Sequence, residues 1–417
     1  MAREEKITPA KKDSTNDDSV VEISKTLLEQ DPLVRTVNKV IADGVEQRAS
    51  DILIEPLDEQ VQIRYRIDGI LYRYLMLPKQ FQDGVLTRVK VMSGLDISEH
   101  RLPQDGRFKM FYKKSEVDFR VSVIPSSLGE KIVLRILDKT KVTLDINKLG
   151  FDNFTLEVLK RNLTKPFGMI LACGPTGCGK TTTLYSALKE IDSIEKNIIT
   201  VEDPVEYQLF GINQVAVHED IGMTFASALR SILRQDPDII LVGEIRDFET
   251  ADISVKAALT GHLLLSTLHT TSAIGSVVRL VNMGIEPFLI SSACLLVLSQ
   301  VLARSLCPQC KEAYPAPTHL QEEFEALHIP LPKGGLTLYK NGSCNACNNT
   351  GFKGRIALAE TLEITNPIKD LIIANASEQD MRQQAAKDGF TTLRENGFKL
   401  VVQGMTTVEE VLRVTSL

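Results

Sequence analysis

A glycine-rich segment, GPTGCGKT at residues 174–181, carries the clearest chemistry in this sequence. It fits the spacing G-x-x-x-x-G-K-[ST], in which a wrapped backbone aims N–H groups at phosphates, a lysine reaches the β- and γ-phosphates, and a hydroxyl ligates Mg²⁺. The segment therefore predicts a site for ATP and Mg²⁺, with Thr181 as the magnesium ligand. The residues expected to line it are Gly174, Pro175, Thr176, Gly177, Cys178, Gly179, Lys180, Thr181 and Thr182.

The sequence on either side of this segment supports the same interpretation. The apolar run GMILAC predicts a strand before it, and KTTTLYSALKEI predicts a helix after it, as a phosphate-binding loop requires. The alternative, a glycine-rich turn that binds no nucleotide, leaves this context unexplained. Cys178 has two interpretations, because a thiol near a helix N-terminus gains thiolate character. We favour the other one, a small residue that fits the loop, since nothing nearby suggests redox chemistry.

Acidic residues follow two further strand-like runs. NIITVEDPVEY brings Glu202, Asp203 and Glu206, and PDIILVGEIRD brings Glu244 after Gly243, a glycine where an aspartate is usual. Because ligands of parallel α/β sheets lie beyond the carboxyl ends of the strands, we assign Glu244 to the Mg²⁺ shell and Glu206 as the base or water-orienting group. These two roles are interchangeable on sequence grounds. For Glu202 and Asp203 the alternative is helix capping, since acids are common at helix starts.

Two of the six histidines flank the apolar run LLLSTL in the stretch LTGHLLLSTLHTT. His269 stands at the end of this predicted strand, and we assign it as a group that senses the γ-phosphate. A lone histidine is more often a structural hydrogen-bonding group. For His262, at the start of the run, the structural and functional interpretations carry equal weight.

Four of the seven cysteines form two C-x-x-C pairs, which supply four soft ligands in two chelating units. This pattern predicts a structural Zn²⁺ site with every position filled. Iron can use the same ligands, and four unligated thiols are the remaining alternative. Beside a nucleotide motif, such thiols favour a reducing compartment over disulfides. The predicted ligands are Cys307, Cys310, Cys344 and Cys347.

The composition limits the class of protein. The chain has 417 residues, 43% of them hydrophobic, and a net charge of −6, which argues against a dedicated nucleic-acid binder. Its charged N-terminus has no apolar core, so we expect no secretory signal. The least polar stretch, residues 287–303, is shorter than the roughly 20 apolar residues of a spanning helix, and we predict a buried helix there. Membrane association is therefore expected through partners only.

Changes of pattern divide the chain into regions. Alternating apolar residues such as Val61, Ile63 and Tyr65 predict strands of a small α+β domain, whereas apolar runs and amphipathic helices after residue 150 predict a parallel sheet covered by helices. The predicted regions are a flexible tail (1–24), an N-terminal α/β domain (25–137), a linker (138–150), an ATPase core (151–304), a tetracysteine zinc subdomain (305–358) and a C-terminal helical region (359–417).

At these motifs the chain resembles the secretion ATPase family, the GspE/PilB-like assembly ATPases of type II secretion and type IV pili. The resemblance covers residues 30–417, and its motifs occur in the family's order. Besides the glycine-rich loop and the cysteine pairs they are ASDILIEP, RYRIDG, RLPQDGR, TVEDPVEY, LRQDPDIILVGEIRD, TGHLLLSTLHTT and MGIEPFLI. The fold it implies is α/β: a RecA-like P-loop NTPase core with a mostly parallel sheet, preceded by a smaller α+β domain and carrying a zinc-binding subdomain.

The resemblance also implies roles that spacing alone does not give. TVEDPVE resembles the family's Asp box and TGHLLLSTLHT its His box. Arg107 in QDGR and Arg120 in DFRVS resemble arginines that reach toward the nucleotide, where a guanidinium stabilises transition-state charge. Arg230 and Arg234 are weaker candidates for the same role. For each arginine the alternative is a surface or interdomain salt bridge.

The function expected from this resemblance is that of a homo-hexameric, cytoplasmic motor ATPase that drives pseudopilus or pilus assembly at inner-membrane platform proteins. Retraction ATPases of pili generally lack the cysteine quartet, which favours assembly or secretion here. Only about thirty residues precede the shared region, where many members carry a docking domain, so the chain is trimmed or docks differently. Two rival functions remain: a RecA-like nucleic-acid translocase, and a nucleotide-gated regulatory module with weak hydrolysis.

Overall fold

A computed structural model describes residues 20–22, 31–113, 115–137, 144–329, 331 and 335–416. The chain divides into two compact units, Met1–Val142 and Thr143–Leu417, and each is described by itself. Most of the predicted tail (1–24) and residues 138–143 of the predicted linker lie outside the described residues. Val20–Glu22, which the sequence analysis assigns to the tail, form a strand that pairs in parallel with residues 109–111.

The first unit is built on a seven-stranded sheet with the order β1-β5-β6-β7-β2-β3-β4. All neighbours pair antiparallel except β1 and β5. The strands are β1 (Val20–Glu22), β2 (Ala49–Pro56), β3 (Gln60–Ile67), β4 (Ile70–Pro78), β5 (Gln104–Tyr112), β6 (Ser115–Ser126) and β7 (Gly129–Leu137).

Two helices, α1 (Pro32–Glu46) and α2 (Gln82–Met92), belong to the same unit. Helix α1 begins at Pro32, and the carboxylate of Asp31 caps it by accepting the N–H of Leu33 at 2.8 Å. Its apolar stripe packs in one core with the inward-facing residues of the strands. In β6 the alternation predicted from the sequence is confirmed, because every second residue from Val117 to Val123 is buried.

The second unit contains a seven-stranded sheet with the order β10-β9-β11-β12-β8-β13-β16. Pairing is parallel throughout except between β13 and β16. Two more strands, β14 and β15, form a separate antiparallel ribbon. The strands are β8 (Gly168–Cys173), β9 (Ile198–Glu202), β10 (Asn213–Ala216), β11 (Ile239–Val242), β12 (Leu263–Leu268), β13 (Cys294–Leu306), β14 (Glu312–Pro315), β15 (Thr337–Lys340) and β16 (Phe352–Glu363).

The central strands of this sheet are continuous apolar runs because both faces are covered. In β11, Ile240 and Val242 belong to one hydrophobic core, while Ile239 and Leu241 belong to the core on the other side. The helices are α3 (Asn153–Leu163), α4 (Lys180–Ile191), α5 (Phe225–Ile232), α6 (Phe248–Leu259), α7 (Ala273–Asn282), α8 (Pro287–Ala293), α9 (Thr318–Ala326), α10 (Asn366–Ile373), α11 (Glu378–Lys387), α12 (Leu393–Val402) and α13 (Val408–Thr415).

Two predictions about secondary structure are wrong in this unit. Residues 287–303, predicted as one buried helix, form the short helix α8 and then the long strand β13. The run is mostly apolar and only Ser291, Ser292, Ser299 and Gln300 interrupt it, so it carries no period that separates a buried helix from a buried strand. Residues 359–363, predicted as helical, lie in β16, which pairs with β13 and so extends the sheet beyond the predicted end of the core at residue 304.

None of the helices in the described part of the chain is both long enough and apolar enough to cross a lipid bilayer.

An ion cluster around the buried carboxylate of Glu410 connects helix α13 to strand β13. Both carboxylate oxygens of Glu410 accept hydrogen bonds. Arg304 donates from its backbone N–H at 2.9 Å and from its guanidinium at 2.9 and 3.1 Å. Arg413 donates from its Nε at 2.9 Å. Burial by itself would raise the pKa of Glu410, but these hydrogen bonds hold it at about 2.

Replacing Glu410 by Gln should lower the free energy of unfolding at pH 7 by about 2 to 3 kcal/mol, because the largely buried Arg304 and the more exposed Arg413 lose their counter-charge. The carboxylate's pKa is lowered on folding from 4.5 to about 2, so its stabilisation is complete above about pH 4.5 and is lost as the pH falls toward 2. Urea denaturation at a series of pH values measures the difference in the free energy of unfolding between wild type and variant.

The matched control is Glu312→Gln, which breaks the ion pair with Lys340 at the surface, where the side chains are 59% and 61% exposed. This change should cost less than about 1 kcal/mol. The account would be contradicted if both variants lost the same free energy of unfolding. It would also be contradicted if the loss caused by Glu410→Gln grew as the pH falls.

Candidate active site

Four neighbouring strands of the second unit end at one edge of the sheet. Strands β9, β11, β12 and β8 are adjacent and parallel, so their carboxyl ends point the same way. The predicted site segments lie at these ends. Glu202 is the last residue of β9 and Asp203 to Glu206 follow it, Gly243 and Glu244 follow β11, His269 follows β12, and residues 174–179 follow β8. The order of strands therefore brings the sequence-predicted groups of this unit to one edge.

Left-handed glycines shape the loop between β8 and α4. Gly174, Gly177 and Gly179 have φ angles of 139°, 79° and 93°, a region that favours glycine. Space is limiting as well, because a Cβ on Gly174 would lie 2.3 Å from the carbonyl oxygen of Gln300. The glycine positions of the motif are thus required by the backbone path, and the loop leads directly into the N-terminus of a helix, as a phosphate cradle needs.

Lys180 is the first residue of α4, and its side chain folds back over the loop. Its Nζ donates to the carbonyl oxygens of Gly174 at 2.7 Å and Pro175 at 3.2 Å. Thr181 and Thr182 follow in the first turn and are partly exposed. The cation, the hydroxyls and the N–H groups of the helix start are therefore gathered at one point, and this donor set fits a triphosphate with Mg²⁺.

The side chain of Cys178 is buried within the loop. Burial raises the pKa of its thiol, against the opposing effect of Lys180. A neutral, enclosed thiol matches the packing interpretation of this residue.

Glu244 and His269 meet at the sheet edge. The His269 Nε2 lies 3.1 Å from one Glu244 carboxylate oxygen, and the Arg246 guanidinium lies 2.5 Å from the other. The Glu244 side chain is only 12% exposed, whereas those of its two partners are more than half exposed. The hydrogen bond with Glu244 raises the pKa of Arg246. The structure thus joins two predicted groups and adds a cation that the sequence analysis did not assign.

Gly243 stands in a tightly packed position, where an aspartate is usual. An added Cβ would lie 3.2 Å from the carbonyl oxygen of Val201, 3.3 Å from the Cα of Glu202 and 3.4 Å from the ring of Phe225. A side chain at position 243 would therefore crowd β9 and α5, and the first acid after β11 is Glu244.

The acids after β9 differ from one another. Glu202 is buried and accepts hydrogen bonds from Tyr185, from the Thr200 hydroxyl at 2.6 Å and from Gln214 at 3.1 Å, so its carboxylate is used within the fold. Asp203 is exposed and Glu206 is half-buried four residues beyond the strand. Burial, followed by the contact with Glu202, raises the pKa of Tyr185.

The weaker candidates make local contacts. His262 Nδ1 lies 3.0 Å from the carbonyl oxygen of Ala257 in the last turn of α6. Arg230 pairs with Glu249, and Arg234 donates to the carbonyl oxygen of Arg230 at 2.9 Å. The Arg230–Glu249 pair is a salt bridge of the kind given as the alternative, and the roles of these three residues at a nucleotide stay predictions.

Arg107 and Arg120 lie in the first unit. Arg107 is on β5 and Arg120 on β6, and the antiparallel register places them directly opposite each other. Cross-strand partners in an antiparallel pair have Cβ atoms roughly 4.5 to 5.5 Å apart, so the two side chains leave the sheet side by side. Their role at a nucleotide stays a prediction.

Two residues of this edge, Arg246 and Gln300, were not predicted from the sequence. Arg246 had one available signal, because it stands only two residues from Glu244 in the sequence. Gln300 had none, because it lies within a run predicted as helix and its loop partner is 122 residues away.

The four cysteines of the two C-x-x-C pairs come together at the end of β13. Their Sγ atoms all lie within 4.8 Å of one another. Three Sγ pairs are 3.7 to 3.8 Å apart: Cys307 with Cys344, Cys310 with Cys347, and Cys344 with Cys347. A tetrahedral metal with bonds of ~2.3 Å to sulfur sets its ligands about 3.8 Å apart, so this cluster fits such an ion.

Comparison with known proteins places these features among close relatives. Residues 26–413 match the family described as type II/IV secretion system protein. The type IV pilus assembly ATPase PilB of Myxococcus xanthus is 49% identical over 92% of this chain and 68% of its own length. The type II secretion system ATPase E of Vibrio cholerae is 46% identical over 92% of this chain and 75% of its own. The solved structure of the pilus retraction motor PilT with bound ADP has a TM-score of 0.61 at 26% identity, covering 93% of this chain and 97% of PilT.

Gly243→Asp should lower the free energy of unfolding by about 1 to 3 kcal/mol, because the new Cβ and carboxylate meet the backbone of β9. Gly243→Ala, which adds the Cβ alone, should show part of this loss and so separates crowding from charge. Urea denaturation of wild type, Gly243→Asp and Gly243→Ala measures the free energy of unfolding of each protein. An aspartate variant as stable as wild type would show that the space beside Gly243 is not limiting.

Proposed function

Because the chain belongs to the type II/IV secretion system protein family, we propose that it is the motor ATPase of a machine that assembles a pseudopilus for type II secretion or a type IV pilus. The observation that carries the proposal is the single sheet edge at which the Lys180 loop and the Glu244–His269 pair follow neighbouring strands. ATP hydrolysis needs this combination of a phosphate-binding cation, a metal ligand and an acid.

Within this site each residue has a proposed task. Lys180 neutralises the β- and γ-phosphates, and the loop N–H groups hold them in place. Thr181 and one glutamate, Glu244 or Glu206, hold Mg²⁺, which would neutralise charge between these phosphates. The other glutamate orients the attacking water or takes its proton. His269 senses the γ-phosphate, and its contact with Glu244 supports this role.

Arg107 and Arg120 are proposed to stabilise the charge on the transferred phosphoryl group. Their placement opposite each other on β5 and β6 supports this, because two guanidinium groups side by side match a phosphate. We propose further that the motor is a homo-hexamer, that it is cytoplasmic, and that it reaches the inner membrane through platform proteins of its machine. The secretion and pilus relatives support these proposals.

The cysteine cluster is proposed to bind Zn²⁺ as a structural ion. Zinc with four thiolates leaves no open coordination position, so the ion would stabilise the fold around Cys307, Cys310, Cys344 and Cys347 without taking part in hydrolysis. The Gly351 N–H donates to the Cys347 sulfur at 3.2 Å, an outer contact that suits a thiolate ligand.

Lys180→Ala should reduce ATP hydrolysis by about two orders of magnitude or more, because the transition-state charge on the β- and γ-phosphates loses its cation. The matched control is Lys189→Ala, an exposed lysine in the last turn of the same helix, which should hydrolyse ATP at the wild-type rate. Steady-state phosphate release measures both. Equal rates for wild type and Lys180→Ala would exclude the motor and favour a regulatory module, and a requirement for DNA would favour a translocase.

Purified protein should contain one zinc ion per chain, and Cys347→Ser should lose it with a fall in melting temperature, because the site then lacks one of four thiolates. Cys294→Ala is the control, since Cys294 is buried in the sheet core away from the cluster and should leave the zinc content unchanged. Elemental analysis by mass spectrometry counts the ion. Wild-type protein free of zinc and iron would remove the metal site from the account.

A further inference from the structure

Gln300 lies under the phosphate-binding loop, near the middle of β13. The register of β13 against β8 pairs Ser299 with Cys173, the last residue of β8. Gln300 is the next residue along β13, so it lies level with the start of the loop. Only 1% of Gln300 is exposed. A polar side chain so deeply buried has to find hydrogen-bond partners within the protein.

Both ends of the Gln300 amide are used, and both partners belong to the loop or to the helix that follows it. Its Nε2 donates to the carbonyl oxygen of Cys178 at 2.7 Å. Its Oε1 accepts from the hydroxyl of Thr183, in the first turn of α4, at 2.9 Å. One side chain thus connects the end of the loop to the start of its helix.

Two loop glycines lie against the same residue. A Cβ on Gly174 would meet the Gln300 carbonyl oxygen at 2.3 Å, and a Cβ on Gly179 would meet Gln300 Nε2 at 3.1 Å. The loop therefore follows the surface of this residue at both of its ends.

The direction of the Cys178 carbonyl decides what the next peptide N–H can do. In a trans peptide the C=O and the following N–H point in opposite directions. By holding the Cys178 oxygen against β13, Gln300 turns the N–H of Gly179 away from β13. Without this donor the peptide is free to flip, because Gly179 has little steric preference, and a flipped peptide presents a carbonyl where a phosphate needs an N–H.

We propose that Gln300 is a positioning residue that holds the loop at residues 174–179 in its phosphate-binding shape. This inference rests on the proposed function, since it concerns the same nucleotide site. Gln300 itself touches no phosphate in this account and acts through the Cys178 carbonyl and Thr183. The opposing possibility is a buried glutamine that contributes to stability alone.

The test uses the full chain and fluorescent mant-ADP as the probe. Gln300→Met keeps the volume and removes both hydrogen bonds. Gln300→Glu keeps the acceptor for Thr183 and, when measured at a pH where its carboxylate is ionised, has no donor for the Cys178 carbonyl. Both should weaken mant-ADP binding about tenfold and raise KM for ATP more than they change kcat. Thr183→Val should weaken mant-ADP binding less, because the hydrogen bond from Gln300 to the Cys178 carbonyl remains. Thr183→Ser, which keeps the hydroxyl, should bind mant-ADP as wild type does.

The control for a purely structural effect is Ser254→Ala, which removes a buried helix hydroxyl that donates to the carbonyl oxygen of Thr250. It should lower the melting temperature without changing the affinity for mant-ADP. If Gln300→Met fails to fold, the affinities of Gln300→Glu, Thr183→Val and Thr183→Ser for mant-ADP test the same point. Wild-type affinity in both Gln300 variants, or an equal loss in Ser254→Ala, would overturn the inference. Failure of wild type itself to bind mant-ADP would instead overturn the proposed function.

Discussion

The parallel pairing of β9, β11, β12 and β8 is the constraint on which the site depends. A parallel sheet buried on both faces places the carboxyl ends of its strands at one edge, and each strand here continues into a segment with a polar group for the site. The loop of Lys180, the acid Glu244 and His269 are therefore close because of the strand order. Their side-chain contacts then refine a position that the backbone has already set.

Strand β13 joins this edge to the rest of the second unit. Near its middle, Gln300 supports the phosphate-binding loop, and Ser299 donates to the carbonyl oxygen of Thr271 at 3.2 Å in the segment that follows His269. Farther along, Arg304 binds Glu410, and the strand ends next to Cys307.

The sequence allowed the local parts of this arrangement to be predicted. The loop, its strand and its helix were evident because glycine, lysine and threonine at this fixed spacing, between an apolar run and a helical pattern, are typical of a phosphate cradle. The prediction for residues 287–303 was wrong because a mostly apolar run has no clear period that separates a buried helix from a buried strand. Gln300 and Arg246 were missed because their roles come from partners that only the fold brings close. The roles of Arg107 and Arg120 depend on more than one unit and stay proposals.

A cryo-electron microscopy structure of the full chain with Mg²⁺ and a non-hydrolysable ATP analogue tests the central claim most directly. The account predicts that the β- and γ-phosphates lie in the loop, with N–H groups of residues 177–181 and the Lys180 ammonium pointing at them. It also predicts that Mg²⁺ lies between the Thr181 hydroxyl and one of the two glutamates, Glu244 or Glu206. A nucleotide bound elsewhere, or a loop whose carbonyl oxygens face the phosphates, would contradict it.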